Sequence, residues 1–311
     1  MMMLIRKTIL FLFLGFLLSA NPQVNENMLH AGLRSGGFYR VWIFFNDKTE
    51  GESTPDNVFQ KVLDNLDDRA RMRRSKVRHF SLVDNRDIPV STKYIEEVRS
   101  SGILIRTVSK WLNAVSVSGT IEQLRSISGF PFVKKIDPVY GGKRKSPVQR
   151  SLLKSSTEPG RSDYGPSYDQ LDQINVIAAH EAGYTGDGVR VLILDTGYYT
   201  DHEAIHEEQI IDEWDFINND GETQNEEGDP DSQHNHGTST LSVLGGWKDG
   251  QLYGSAYEAE FLLAKTEDVS QELPIEEDQY VAGLEWGESL GADIASSSLG
   301  YIDWYEFEDL D

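Results

Sequence analysis

Three short stretches in the second half of the chain combine residues capable of acid–base or nucleophilic chemistry with small neighbours that allow close packing. They are Asp195-Thr-Gly197, His236-Gly-Thr238 and Ser298-Leu-Gly300. Asp195 follows the apolar run from Val189 to Leu194, which is typical of a buried parallel strand. Open α/β sheets place functional groups at the carboxyl ends of such strands. The pattern therefore predicts that the Asp195 carboxylate lies at the functional edge of a parallel sheet.

Taken one at a time, these stretches have purely structural explanations. Asp195 could be a strand-end residue that hydrogen-bonds its own backbone. His236 could cap a helix or fill a core, and Ser298 could begin a strand-to-loop turn. Three stretches in a fixed order, each at a strand end or a helix start, favour a shared functional site over three separate structural roles.

Together the three stretches resemble the motifs of the subtilisin-like (subtilase) serine proteases, in the same order along the chain. The resemblance implies that Asp195 and His236 are catalytic. It also implies that Ser298, Leu299 and Gly300 belong to a strand that pairs with the substrate backbone. Segments between the motifs are similar to the family too: Gly183 to Val189, Gly254 to Phe261 and Glu285 to Asp293.

The resemblance implies a mechanism. A serine hydroxyl becomes a good nucleophile when a neighbouring imidazole removes its proton. His236 would be that base, and Asp195 would accept a hydrogen bond from the other ring nitrogen and stabilise the imidazolium. Since the family's order is aspartate, histidine, serine, we expect the serine beyond Asp311, and the 311 residues alone to be inactive. Two departures from the family pattern, Ser239 for a second histidine and Tyr257 for a proline, leave the proton-transfer residues unchanged.

Two other patterns suggest metal ions. His202-Glu-Ala-Ile-His206 matches the zinc-protease pattern H-E-x-x-H, which needs both histidines on one face of a helix. The resemblance places this segment in a surface loop instead. The acidic insertion at 220–231 offers Glu226, Asp229 and Asp231 as oxygen donors for a structural calcium ion, although a solvated loop explains the same charges. The implied chemistry itself requires no cofactor.

The elements that position these residues fall into two modules. From about residue 170, apolar strands alternate with helices, which predicts an α/β fold. The resemblance makes this a subtilisin-like, mainly parallel sheet flanked by helices and incomplete at its C-terminus. Residues 39–140 predict the order β-α-β-β-α-β of a ferredoxin-like α+β fold. Its first connection, 46–91, is enlarged and carries a basic helical patch from Arg69 to Arg74. This module resembles the family's pro-domain.

Composition sets the expected boundaries. Residues 1–20 have the basic start, apolar core and small cleavage-site residues of a secretory signal, and their apolar run is too short to span a membrane comfortably. We expect an inhibitory pro-domain at 38–140, a linker and processing region rich in Gly, Pro, Ser and basic residues at 141–168, and the N-terminal part of the catalytic domain at 169–311. The signal predicts secretion, to the extracellular space or the periplasm, without a membrane anchor.

The net charge of −22 is divided unevenly. Residues 161–311 hold 4 basic and 36 acidic residues, whereas residues 1–160 hold 25 basic and 15 acidic ones. Opposite charges predict that the two modules attract each other. The acidic half makes nucleic acid an unsuitable partner, because phosphates would be repelled. The chain contains no cysteine, which excludes a thiol nucleophile and a disulfide framework.

These observations predict a secreted serine endopeptidase made as a zymogen. Its substrates would be peptides or proteins, and its first partner would be its own pro-domain. A second class stays open, namely a truncated, non-catalytic pseudo-protease that acts as a binding or inhibitory module. The coding sequence beyond Asp311 separates the two, since a Gly-Thr-Ser motif there would support the enzyme.

Overall fold

The computed structural model describes residues 32–33, 35–50, 56–139, 141–142, 163–270 and 275–298. The expected signal peptide, most of the expected linker, and the pair Leu299 and Gly300 lie outside the described residues. Within this part of the chain, no helix has both the length and the apolar character needed to cross a membrane.

The N-terminal module is a four-stranded antiparallel sheet with strand order β2-β3-β1-β4. This is the ferredoxin-like order expected from the sequence, and the enlarged first connection holds two additional helices, α1 and α2. The elements are β1 (Tyr39–Phe45), α1 (Asp56–Asp64), α2 (Asp68–Val77), α3 (Thr92–Ser100), β2 (Leu104–Ser109), β3 (Ala114–Gly119), α4 (Ile121–Ser128) and β4 (Val133–Pro138).

Local sequence explains where the helices of this module begin. The Ser91 hydroxyl accepts a hydrogen bond from the Tyr94 amide at the start of α3, and Thr120 and Gln123 form a capping box at the start of α4. Alternate apolar residues of β1 and β3 point to α3 and α4 and form one continuous core with them. The hydrophobic face of the sheet therefore folds against its own helices.

The second module is built on a four-stranded parallel sheet with order β12-β6-β10-β7. Two short antiparallel pairs, β5 with β11 and β8 with β9, lie outside it. The elements are β5 (Gly141–Gly142), α5 (Tyr168–Gln173), α6 (Val176–Glu181), β6 (Arg190–Asp195), β7 (Ile210–Asp215), α7 (Asn235–Gly245), β8 (Trp247–Lys248), β9 (Leu252–Tyr253), β10 (Glu260–Lys265), β11 (Ile275–Glu276), α8 (Glu277–Ser289) and β12 (Ile294–Ser297).

Helices cover both faces of this sheet. Val191 and Ile193 of β6 pack with Leu241 of α7 on one face, whereas Leu192 and Leu194 pack with α8 on the other. Burial on both faces explains why β6 reads as a continuous apolar run rather than as an alternating pattern. The fold is the parallel α/β arrangement, flanked by helices, that the sequence predicts.

Two elements differ from the sequence-based expectations. The strand β7 was not anticipated, because its sequence Ile-Ile-Asp-Glu-Trp-Asp is half acidic and it lies at the edge of the sheet. The sequence pattern predicts a helix from Ile275, but α8 begins at Glu277, since Ile275 and Glu276 pair with Gly141 and Gly142. In both cases long-range backbone pairing decides the structure, not the local pattern.

Helix α8 also carries the contact between the two modules. The buried Asp278 carboxylate accepts hydrogen bonds from Arg106 Nε at 2.8 Å and Ser116 Oγ at 2.7 Å. Two turns further along the helix, Glu285 accepts hydrogen bonds from the backbone amides of Lys110 and Trp111. Acidic groups of the second module are thus paired with donors of the first, as the charge asymmetry predicts.

Candidate active site

Asp195 and His236 form a hydrogen-bonded pair at the carboxyl edge of the parallel sheet. Asp195 Oδ1 lies 2.7 Å from His236 Nδ1. The carboxylate is completely buried, whereas the imidazole is 31 % exposed. Because Nδ1 is engaged by the carboxylate, Nε2 is the nitrogen left to exchange a proton with a third group. The two residues singled out by the sequence are therefore brought together.

Further donors hold the Asp195 carboxylate in one orientation. Its Oδ1 accepts a hydrogen bond from the Thr196 amide at 2.7 Å, and its Oδ2 accepts one from Thr240 Oγ1 at 3.1 Å. Thr240 lies on α7, one turn after His236, so the same helix supplies the imidazole and a hydroxyl that steadies its partner. The carboxylate has little freedom to rotate away from the imidazole.

The small residues of the two motifs interlock. A Cβ on Gly237 would lie 2.1 Å from the carbonyl oxygen of Gly197, so α7 can approach the strand end this closely only with glycine at 237. Gly197 itself has φ +119°, a conformation that favours glycine. Thr196 Oγ1 accepts a hydrogen bond from the Gly237 amide, and Thr238 Oγ1 accepts one from the Tyr199 amide. The close contact between these two motifs thus fixes the distance between the Asp195 carboxylate and the His236 imidazole.

Gln233 is a site residue that the sequence reasoning missed. Its buried side-chain amide donates to the carbonyl oxygens of Thr196 and Glu267, each at 2.6 Å, and its Oε1 accepts from the Val269 amide. It therefore ties the loop before His236 to the ends of β6 and β10. Its position three residues before the histidine is the signal that could have indicated it.

A buried ammonium lies below the same loop. Lys265 Nζ is 2.8 Å from Asp215 Oδ2 and 2.9 Å from Asp229 Oδ2, and the Lys265 and Asp215 side chains are 0 % exposed. Burial alone would lower the pKa of Lys265, but the hydrogen bonds and charges of the two aspartates raise it above its usual value. Burial, followed by the charge of Lys265, lowers the pKa of His234, which accepts the Asn225 amide on Nδ1.

The structure describes the three carboxylates that the sequence offers to a structural calcium ion. Asp229, expected as a calcium donor, pairs with Lys265 instead. The described residues do bring oxygens of Asp215, Asp220 and Glu226 within 4.8 Å of one another. However, Asp215 already receives the Lys265 ammonium and the Ile217 and Asn218 amides. The Lys265 ammonium thus already balances the negative charge of Asp215, the most deeply buried of these carboxylates.

The segment from His202 to His206 also departs from what a zinc site needs. It lies in turns between β6 and β7 rather than on a helix. His202 Nδ1 accepts the Ala204 amide, and His206 Nε2 contacts the carbonyl oxygen of Trp247. The two imidazoles therefore contact backbone groups in and beside this loop, which agrees with the surface-loop interpretation.

The expected substrate strand is described only at its start. Ser298 is exposed and follows β12, which pairs in parallel with β6 so that Ser297 lies opposite Leu194. Leu299 and Gly300 lie outside the described residues. A second backbone edge, not anticipated from the sequence, is β11, whose two residues pair in antiparallel fashion with Gly141 and Gly142 just after the N-terminal module.

Comparisons with known proteins agree with this architecture. The model of the "Peptidase S8 propeptide domain, Bacteroidota" matches residues 40–154, and the model of the "Subtilase family" matches residues 186–307. Residues 186–307 therefore form a subtilase-family domain, and a propeptide domain of the peptidase S8 type precedes it at residues 40–154. A search of curated proteins gave no match.

Solved structures of low sequence identity were also found. The crystal structure of the leader-peptide-processing serine protease EpiP from Staphylococcus aureus has a TM-score of 0.50 at 10 % identity, covering 84 % of this chain and 49 % of that one. Fervidolysin from Fervidobacterium pennivorans, a keratinolytic enzyme related to subtilisin, has a TM-score of 0.49 at 15 % identity, with coverages of 85 % and 36 %. The likeness to EpiP bears on the fold alone. The chain spans between about a third and a half of the length of these two proteins.

Proposed function

We propose that this chain is the front part of a secreted serine endopeptidase that is made as a zymogen. The observation that carries the proposal is the 2.7 Å hydrogen bond between the buried Asp195 carboxylate and Nδ1 of the partly exposed His236. The expected nucleophile is a serine on chain that follows Asp311. His236 Nε2 would take the hydroxyl proton as the oxygen attacks the scissile carbonyl, and would then deliver it to the leaving amine.

Asp195 acts on this reaction through His236. With Asp195 accepting a hydrogen bond on its carboxylate, the proton of the neutral imidazole stays on Nδ1 and Nε2 is free to act as a base. When His236 becomes an imidazolium, the negative charge 2.7 Å away stabilises it. Buried surroundings strengthen that attraction, because water does not screen the carboxylate.

The N-terminal module is proposed to inhibit this site until it is removed. An extended peptide binds a protease well by adding a strand to a free backbone edge. The antiparallel pairing of Gly141 and Gly142 with β11 has the form of such a strand addition. It supports a pro-domain whose exit segment runs along the substrate edge, and we propose that cleavage falls within 141–168. Residues Ser298 to Gly300 are proposed as the opposite substrate edge.

A fluorophosphonate probe, which reacts with activated serines, tests the proposal. The full-length protein, expressed from the complete coding sequence, should be labelled on a serine downstream of Asp311, and His236→Ala should abolish the labelling. His206→Ala is the matched control, because the imidazole of this histidine contacts Trp247 and Glu208 rather than Asp195, and it should be labelled like the wild type. Labelling that survives His236→Ala, or that is lost in His206→Ala, would contradict the proposed roles.

The non-catalytic alternative makes the opposite prediction. A pseudo-protease would have no Gly-Thr-Ser motif in the coding sequence beyond Asp311, and its full-length product would stay unlabelled although folded. Secretion is tested separately, by asking whether the mature protein recovered outside the cytoplasm begins after about residue 20.

A further inference from the structure

Helix α2, in the enlarged first connection of the pro-domain, lies against the catalytic module far from the candidate active site. Three of its arginines, Arg69, Arg73 and Arg74, contact acidic groups of the other module. Among the described residues, Arg71 bonds only carbonyl oxygens of its own module, those of residues 63, 64 and 66. The spacing i, i+4, i+5 places the three on one face of the helix. The face that meets the catalytic module is thus selectively basic.

Arg73 and Arg74 converge on one carboxylate, Glu288 near the end of α8. Arg74 forms a two-pronged pair with it, Nε to Oε1 at 2.8 Å and a terminal nitrogen to Oε2 at 2.6 Å, and Arg73 bonds the same carboxylate. The Arg74 side chain is 1 % exposed and also bonds Asp87 within the pro-domain. Burial alone would raise the pKa of Glu288, but Arg74, then Arg73 and Lys110, lower it. Such two-pronged pairs are specific for a guanidinium.

Arg69 extends the contact to the amino edge of the parallel sheet. Its guanidinium lies 2.7 Å from both Asp293 Oδ2 and the carbonyl oxygen of Gly188, and 3.7 Å from Glu260 Oε2. Glu260 opens β10, and Asp293 immediately precedes β12. The contact is therefore with the end of the sheet opposite to Asp195.

The backbone of the catalytic module is shaped to admit the helix. Gly291 has φ +80°, and a Cβ placed there would lie 2.8 Å from the Ala70 amide nitrogen and 2.9 Å from Arg69 Cβ. The first turn of α2 therefore rests directly on this glycine. Ala70 is completely buried, so shape and charge complementarity occur at the same place.

We propose that Glu260, Glu288, Asp293 and Gly291 form a second docking surface on the catalytic module, whose occupant is the arginine face of α2. Strand β6, which runs from Arg190 to Asp195, separates this docking surface from the active site and spans about 17 Å at roughly 3.3 Å per residue. The inference rests on the proposed zymogen function, and it adds that the pro-domain is held at two places. The contact at Asp278 and Glu285 lies beside the substrate edge, and the contact of α2 lies at the far end. Cutting the linker then leaves the pro-domain attached through α2 as well as through the first contact.

Hydrogen exchange and sedimentation of the 311-residue chain test the second surface without any catalytic step. In the double variant Arg69→Ala/Arg73→Ala, amides of α2 and of residues 288–293 should exchange about tenfold or more faster than in the wild type, whereas β2 and β3 should be unchanged. Arg71→Ala is the matched control on the same helix and should leave residues 288–293 unchanged. A second variant, Glu288→Gln, removes the charge from the catalytic module instead and should give the same faster exchange. Because it leaves the sequence of α2 unchanged, it distinguishes loss of the contact from a folding defect of the helix.

The same chain, with a specific protease site placed in the linker and cut after folding, gives the second readout. The cut wild type and the cut Arg71→Ala variant should sediment as one complex. The cut double variant should dissociate, with affinity weaker by about a hundredfold, because Asp293 loses its guanidinium partner and Glu288 keeps only one of its two. Equal sedimentation of the double variant and Arg71→Ala would overturn the second surface. Neither readout needs the catalytic serine. A protein without protease activity would therefore still show the expected difference in sedimentation between the two variants.

Discussion

Replacing Lys265 with methionine removes the positive charge that two aspartates share beneath the candidate active site. The side chains of Lys265 and Asp215 are 0 % exposed and that of Asp229 is 18 % exposed. Methionine has a similar length and fills the same space, so the change tests the charge rather than the packing. Asp215 would keep its backbone donors, but its charge would be buried without a counter-ion.

Breaking a buried ion pair by removing one partner costs about 3–5 kcal/mol. We therefore expect Lys265→Met to lower the free energy of unfolding by about that amount, measured by urea denaturation with far-ultraviolet circular dichroism. Lys93→Met is the matched control. Its ammonium pairs with Glu50 at the surface, where the two side chains are 59 % and 43 % exposed, and its loss should cost at most about 1 kcal/mol.

Adding Asp215→Asn to Lys265→Met should recover part of the lost stability, because it neutralises the carboxylate that the first change orphaned. Each denaturation is run with a chelator and again with added calcium. Calcium that restores Lys265→Met but not the double variant would identify Asp215 as the carboxylate that needs a cation. The reasoning is refuted if Lys265→Met, in chelator, is as stable as Lys93→Met.

Two further results are expected. Since docking lowers the pKa of Glu288 from its ordinary 4.5, the undocked state binds more protons in acid. Docking of the pro-domain should therefore be at full strength above about pH 5 and weaken as the pH falls through the lowered pKa; sedimentation of the cut chain across this range should show the loss, and Glu288→Gln should flatten it. Gly237→Ala should cost about 3 kcal/mol or more and displace His236, because the new Cβ meets the Gly197 carbonyl oxygen at 2.1 Å. Gly221→Ala, where no atom lies within 4 Å, should change the thermal midpoint little.

The sequence was most informative where function depends on short, local patterns. The pairing of Asp195 with His236 could be predicted because each belongs to a short motif that resembles the subtilase pattern, and the apolar run of β6 marks a strand buried on both faces. The ferredoxin-like order of the N-terminal module followed from alternating strand patterns and capped helices. Each of these features depends on residues that lie close together in the sequence.

The contacts that the sequence did not reveal are long-range. Gln233 bonds carbonyl oxygens 37 and 34 residues away, and Lys265 bonds Asp229 from 36 residues away. Strand β11 exists because the chain leaving the N-terminal module pairs with it. The basic patch of α2 was visible in the sequence, but its acceptors at Glu288 and Asp293 lie more than two hundred residues downstream. Only the folded chain brings such groups together.

The central claim is that Asp195 and His236 act as one unit in peptide hydrolysis. Steady-state kinetics of the full-length protein on a peptide substrate tests it through the variants Asp195→Asn, His236→Ala and their combination. Each single change should lower kcat by about 10⁴-fold or more, and the double variant should be no slower than His236→Ala, because residues that share one function lose it only once. The claim is contradicted if the two losses multiply, or if Asp195→Asn keeps kcat within about tenfold of the wild type.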